Sequence, residues 1–142
     1  MLSRADIELA KLAARHDGVF TYAQARACGL SHGQLARRRE FAWVCLHETV
    51  YRMAGAPATR RGAMRAACCA TDPPVAISHR CAAALYEVPW GRVDVVELTC
   101  RRWERTVKPD LIVHEATRFD GRDIDADSFG FPVVRAEVML LQ

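Results

Sequence analysis

"GLSHGQLARRREFAW", residues 29–43, sets three adjacent arginines inside a helical pattern. Ser31 followed by Gln34 forms an S-x-x-Q capping box, in which the serine hydroxyl takes the third helical amide and the glutamine reaches back to the cap. Leu30 and Leu35 flank that cap as a hydrophobic staple. Just upstream, Tyr22–Cys28 reads as a short helix that Thr21 can cap and Gly29 ends. Helix, the three-residue turn Gly29-Leu30-Ser31, helix is the spacing of a helix-turn-helix. At about 100° per residue from an inward Leu35, Arg37 and Gly33 point outward with Glu40 nearby. Arg38 falls on one flank, and Arg39 and His32 on the other, nearer the core. Guanidinium groups spread over so wide an arc suit a helix lying in a phosphate-walled groove better than a core helix.

Working outward, Trp43–Leu46 and Val50–Met53 are β-prone runs at hairpin spacing, and a hairpin directly after a recognition helix is a wing. Toward the N-terminus, Ser3 and Asp6 resemble a capping signal for a helix running to about His16, which Gly18 closes before an extended Val19-Phe20. Residues 1–58 are therefore expected to form a winged helix-turn-helix DNA-binding domain. Residues 59–142 are expected to form a small mixed α/β region, making the fold class α+β. Its elements would be a helix over 60–71 broken by "DPP", and a second helix capped by Ser78 and stopped by Pro89. Strand-like runs follow at 93–99, 111–114 and 131–134. The last residues, "RAEVMLLQ", begin an apolar helical face, so this second domain is expected to be truncated at its C-terminus.

Hydrophobic residues make up 51% of the chain and charged residues 26%, a globular composition. No apolar run approaches the ~18 residues of a membrane span, and the N-terminus has no signal-peptide pattern, so a cytoplasmic protein is expected. The net charge of +3 conceals an imbalance: residues 1–65 hold eleven Arg/Lys against five Asp/Glu, and residues 66–142 nine against twelve. A basic first half points to a polyanionic partner, double-stranded DNA foremost. Within it, Arg37, Arg38 and Arg39 are candidates for base and backbone contacts, and His32 and Gln34 stand in the first turn behind the cap residue Ser31. The capping box already employs Gln34. Arg52, Arg60 and Arg61 border the hairpin and are candidates for phosphate contacts on the wing side.

Other chemistries find little support. The six cysteines read as buried, reduced thiols, and Cys68, Cys69, His79 and Cys81 lack zinc-ligand spacing. Ser78 and His79 are adjacent on a helix start, which is no catalytic relay; Ser78 is explained as a cap and His114 as a packed strand residue. Asp120, Asp123, Asp125 and Asp127 lack the glycine and terminal glutamate of an EF-hand loop. No Gly-rich phosphate loop, H-E-x-x-H or G-x-S-x-G occurs. No catalytic residue, metal or cofactor is expected.

"HDGVFTYAQARACGLSHGQLARRR", "WVCLHETVY" and "ISHRCAAALYEVP" together resemble the AbiEi-type antitoxins of type IV toxin–antitoxin systems, and "VDVVELTCRRWE", "LIVHEATRF" and "FPVVRAEVMLL" are similar to the region that follows in them. The resemblance implies a winged helix-turn-helix that represses its own operon and an α/β domain associated with neutralising a nucleotidyltransferase toxin. It places the recognition helix at Ser31–Glu40 and the wing at Trp43–Met53. His47, Val50 and Tyr51 match the family's H-x-G-V-Y run, which adds His47 to the DNA-facing candidates. Phe41 and Thr49 stand where the family usually has glycine, so both turns are expected to adopt a different geometry. Gln142 stands where the family often has Asp, and many relatives continue into a Vsr-like nuclease domain from which no residue carries over. An operator with inverted repeats would be met by a homodimer. Two other functions fit the same residues: a protein-interaction module without DNA binding, or the targeting portion of a Vsr-like nuclease protein.

Overall fold

The computed structural model describes residues 2–92, 94–102 and 108–142. The chain divides into two compact units, Met1–Ala70 and Thr71–Gln142.

In the first unit, three helices, α1 (Arg4–Ala14), α2 (Tyr22–Ala27) and α3 (His32–Phe41), alternate with and precede three strands, β1 (Val19–Thr21), β2 (Trp43–His47) and β3 (Val50–Met53). Each helix begins at a reciprocal capping box: Ser3 with Asp6, Thr21 with Gln24, and Ser31 with Gln34. Each box satisfies two amides that a helix start leaves without partners. Two glycines close the preceding elements. Gly18 lies at φ 79° and a Cβ there would meet the Ala56 Cβ at 2.4 Å; Gly29 lies at φ 109° and ends α2. The strands form one antiparallel sheet in the order β1-β3-β2, which together with the helices gives the winged helix-turn-helix arrangement.

Strand alternation gives this sheet two faces. Phe20, Trp43 and Tyr51 point to the helices and meet Leu9, Ala13, Ala25, Leu30 and Leu35 in the main core. The aromatic trio stacks edge-on or tilted, with Phe20 and Trp43 centroids 4.7 Å apart. Leu30 and Leu35 are fully buried, as the staple requires; burying a leucine stabilises by about 1.5–3 kcal/mol. Val19 and Val50 point the other way, to Ala66 of α4 (Arg60–Ala70). The ion pair from Arg65 to Asp17, at 3.1 Å, adds a second tie between α4 and this unit. For this reason the division between units falls after Ala70, whereas sequence reasoning expected it at 58/59 and assigned that helix to the second domain.

Neither of the two turns places its non-glycine residue in the left-handed region. Phe41 is the last residue of α3 and Thr49 sits in the two-residue turn between β2 and β3; neither is among the non-glycine residues at positive φ, which are Asp17, His79 and Glu87. A register shift between Cys45 and His47 accompanies the turn.

The second unit is a five-stranded sheet in the order β6-β5-β4-β8-β7, with β4 (Val75–Ile77) at its centre. Strand β5 (Val96–Arg101) runs antiparallel to β4 and parallel to β6 (Leu111–Ala116). Strand β8 (Val133–Val134) runs parallel to β4 and antiparallel to β7 (Ile124–Asp125). Helix α5 (His79–Leu85) lies along β5, and the short α6 (Ala136–Met139) follows β8. The expected strand at 93–99 begins at Val96, its first residue Val93 lying outside the described residues; β4 and β7 were not expected at all. Helix α5 ends before Pro89 because Glu87, at φ 60°, closes it: the Glu87 and Val88 amides return to Ala84 and Ala83. That is the bond pattern of a Schellman motif. None of the six cysteines forms a disulfide, but only Cys81 and Cys100 are buried; Cys28 and Cys68 are half-buried and Cys45 and Cys69 exposed, contrary to the expectation of six buried thiols.

Candidate nucleic-acid interface

The turn between α2 and α3 is held rigidly. The Leu30 amide donates to Ala25 O, and the Arg26 guanidinium donates to Leu30 O at 3.0 Å. Helix α3 is then fixed along its buried line by Leu35 and at its start by the capping box. In that box the Ser31 hydroxyl accepts the Gln34 amide at 3.2 Å, and Gln34 Oε1 accepts the Ser31 amide at 2.8 Å. Both polar side chains are committed to the helix start, so Ser31 and Gln34 serve α3 first.

The three arginines have three different surroundings. Arg37 is exposed, and no partner for it occurs among the described residues. Arg38 is folded back on α1: its Nε and Nη2 donate to the two oxygens of Asp6, each at 2.7 Å. This is the bidentate fork that arginine makes with a carboxylate. Its side chain is 21% exposed and that of Asp6 11%. The Arg38 guanidinium holds the Asp6 carboxyl far below the usual carboxylate range, against the opposing effect of burial. Asp6 in turn raises the Arg38 value. Arg39 is exposed on the opposite flank beside Tyr51, whose hydroxyl raises the guanidinium above the ordinary arginine value. Arg37 is exposed as expected, but Arg39 and His32, expected nearer the core, are exposed too, and it is Arg38 that is half-buried, because Asp6 draws its guanidinium onto α1.

His32 is exposed on the same flank as Arg39. Its ring stacks on Tyr22 at 5.8 Å and 24°, and its Nδ1 meets the Tyr22 hydroxyl. Tyr22 and Asp6 are the residues that sequence reasoning missed here. Each helps orient an α3 side chain from another helix, and Tyr22 sits at the start of α2, where the Thr21 cap signal could have drawn notice to it.

The remaining candidates do not join the exposed side of α3. His47 ends β2 half-buried, and its carbonyl accepts the Cys45 thiol at 3.0 Å. Arg52 is paired with Val19 and Val44 across the sheet and so lies on the face that meets α4, half-buried, its Nε without a hydrogen bond among the described residues. Arg60 and Arg61 are exposed at the start of α4, on that same side of the sheet. The wing is short: its turn holds only Glu48 and Thr49. The Thr49 carbonyl accepts the Tyr22 amide at 2.9 Å and the Glu48 carbonyl accepts the Tyr51 hydroxyl, so the tip is tied to the body and carries an acidic side chain.

Residues 8–41 match the model of a family described as "Transcriptional regulator, AbiEi antitoxin". The resemblance holds there. The match runs from the first helix to the last residue of α3, so the AbiEi-like segment is the helix-turn-helix itself, and the transcriptional-regulator and antitoxin class attaches to that segment. The wing, α4 and the second unit lie beyond it. No curated protein matches the chain. No helix among the described residues is long and apolar enough to cross a membrane.

Proposed function

We propose that the first unit binds double-stranded DNA, with α3 in the major groove, and represses the operon that encodes it. The observation that carries this reading is the presentation of α3. The helix is capped at its start, stapled by Leu35, braced on one flank by Arg38–Asp6 and on the other by Tyr22–His32, and it holds Arg37 outward between the braces. A rigid rod with a charged, unpartnered outer edge suits groove entry, because little order remains to be imposed on binding. The unit's charge supports it: Met1–Ala70 holds eleven basic residues against five acidic ones. In this reading Arg37 reaches bases or phosphates, Arg39 and His32 line the groove wall, and Arg38 positions the helix without touching DNA. Arg60 and Arg61 would add phosphate contacts only for DNA that extends past the sheet. A homodimer on an inverted repeat is the expected stoichiometry, and neutralisation of a nucleotidyltransferase toxin by the acidic second unit is the accompanying proposal.

Fluorescence anisotropy with duplex from upstream of the chain's own operon tests this reading. Binding at moderate salt, with affinity falling as salt rises, is the expected result, and Arg37→Ala lowers the log–log salt slope by about 1. Operator affinity and slope unchanged in Arg37→Ala would sink the groove assignment. A second reading, a protein-binding face on α3, draws on the fact that two of the three arginines already have internal neighbours and that the wing tip carries Glu48. Co-purification with the toxin but not with DNA would favour it.

A further inference from the structure

The second unit contains a polar cluster that the DNA-binding reading does not use. On β5, Glu97 and Thr99 share one face of the sheet, and the register with β6 pairs Thr99 with His114. Across the other edge of β5, the chain leaves β4 at Ser78, whose amide donates to Glu97 O at 3.0 Å, and turns directly into His79. Three elements distant in sequence thus deliver His79, Glu97 and His114 to one spot, where a ligand atom from each lies within 4.8 Å of the other two. Glu97 Oε2 and His114 Nε2 are 3.2 Å apart, and the two imidazole rings stack with centroids 3.7 Å apart.

We propose that His79, Glu97 and His114 form a binding site for a borderline divalent transition-metal ion, zinc foremost. Two imidazole nitrogens and one carboxylate oxygen are a recurring zinc ligand set, which leaves the fourth tetrahedral position to water or an outside ligand. Bonds of about 2.0–2.1 Å in a tetrahedral shell set ligand atoms about 3.4 Å apart, close to the Glu97–His114 separation. The surroundings orient the set as outer partners of a metal site do. Arg80 holds Glu97 Oε1, from Nε at 3.2 Å and Nη2 at 3.1 Å, leaving Oε2 for the cluster. The Ser78 hydroxyl engages His79 Nδ1 at 2.9 Å, so Nε2 is the nitrogen open to a ligand, and Thr99 Oγ1 donates to that same hydroxyl at 2.7 Å.

Two features set this cluster apart from an ordinary buried ion pair. Arg80 already pairs with the Glu97 carboxylate, whose side chain is only 6% exposed, yet two imidazole rings stacked on each other stand beside the same carboxylate. His79 also holds a left-handed backbone, φ 53°, at the first position of α5. A non-glycine residue rarely adopts that conformation, and such outliers concentrate where a side chain must be aimed. The same geometry explains why Ser78, although at the cap position, makes no side-chain cap bond: its hydroxyl is taken by His79 and Thr99.

The test uses the tag-free full chain, stripped with chelator and titrated with Zn²⁺ by calorimetry and with Co²⁺ by absorption. One equivalent of Zn²⁺ is expected, together with visible Co²⁺ bands that lack the near-ultraviolet sulfur-to-metal charge-transfer band that cysteine ligands would give. Mg²⁺, a hard ion, should not compete. Glu97→Gln and His114→Ala, each checked for native circular dichroism, should weaken Zn²⁺ by about 100-fold, and Ser78→Ala by about 10-fold. If His114→Ala does not fold, His114→Gln replaces it. Overturning results would be no binding at one equivalent, a thiolate signature in the Co²⁺ spectrum, or Zn²⁺ affinity unchanged in the folded variants.

Discussion

One flank of α3 and its outer edge use the same side-chain chemistry for opposite purposes. On one, Arg38 is drawn into a two-pronged pair with Asp6 and ties the helix to α1; between the flanks, Arg37 stands clear of the protein. Adjacent residues of identical type therefore divide into a brace and an exposed edge merely because a helix turns about 100° per residue. A run of like charge on a helix reports several environments, and its function cannot be assigned to the run as a whole.

The largest effect should come from removing what both flanks depend on. Leu35→Ala empties a fully buried site between them and should cost about 2–5 kcal/mol in chemical denaturation, loosening brace and contact edge together. Arg38→Ala should separate them. It removes a charge-assisted pair and is expected to cost about 1–3 kcal/mol, while the salt slope of DNA binding stays near wild type. If Arg38→Ala instead lowers that slope as much as Arg37→Ala, the distinction between flank and outer edge fails.

Acid titration of stability addresses the same brace. The folded Asp6 carboxyl lies well below its unfolded value, so its contribution is complete above about pH 4 and is lost as pH falls from there toward the folded value. The wild-type protein should lose stability over that acidic range more steeply than Arg38→Ala, measured by denaturation midpoints at a series of pH values. The smallest change in stability belongs to Arg37→Ala, within about 0.5 kcal/mol, since the side chain is exposed and without a partner among the described residues. A larger loss there would reveal a structural role and weaken its assignment to DNA.

The same contrast explains what could be read from the sequence. The three capping boxes, the Leu30–Leu35 staple and the outward angle of Arg37 depend on residues within one or two helical turns, and all are legible. The Asp6–Arg38 pair spans 32 positions and has no local sign. Arg52 carried half a signal: alternation puts it on the face of Val50, but only the packing of Ala66 reveals that this face is covered by α4. In the second unit, the parallel pairing β4·β8 joins segments far apart in sequence, the parallel pairing β5·β6 cannot be a hairpin, and β4 is three residues long. Such pairings are fixed by tertiary packing rather than by any stretch of sequence. One clue was present. Glu97 interrupts the apolar run "VELTC" with a charge at a position buried on both sides, which calls for a partner that the sequence alone could not name.

Asp6 also accepts from the amide and hydroxyl of Ser3, so one carboxylate secures both the first turn of α1 and the roll of α3. Anything fused to or trimmed from the beginning of the chain therefore acts on a lever whose far arm is the exposed Arg37 edge that we propose faces DNA. An affinity handle placed before Ser3 should detune operator recognition without unfolding the protein, whereas the same handle placed elsewhere should be silent.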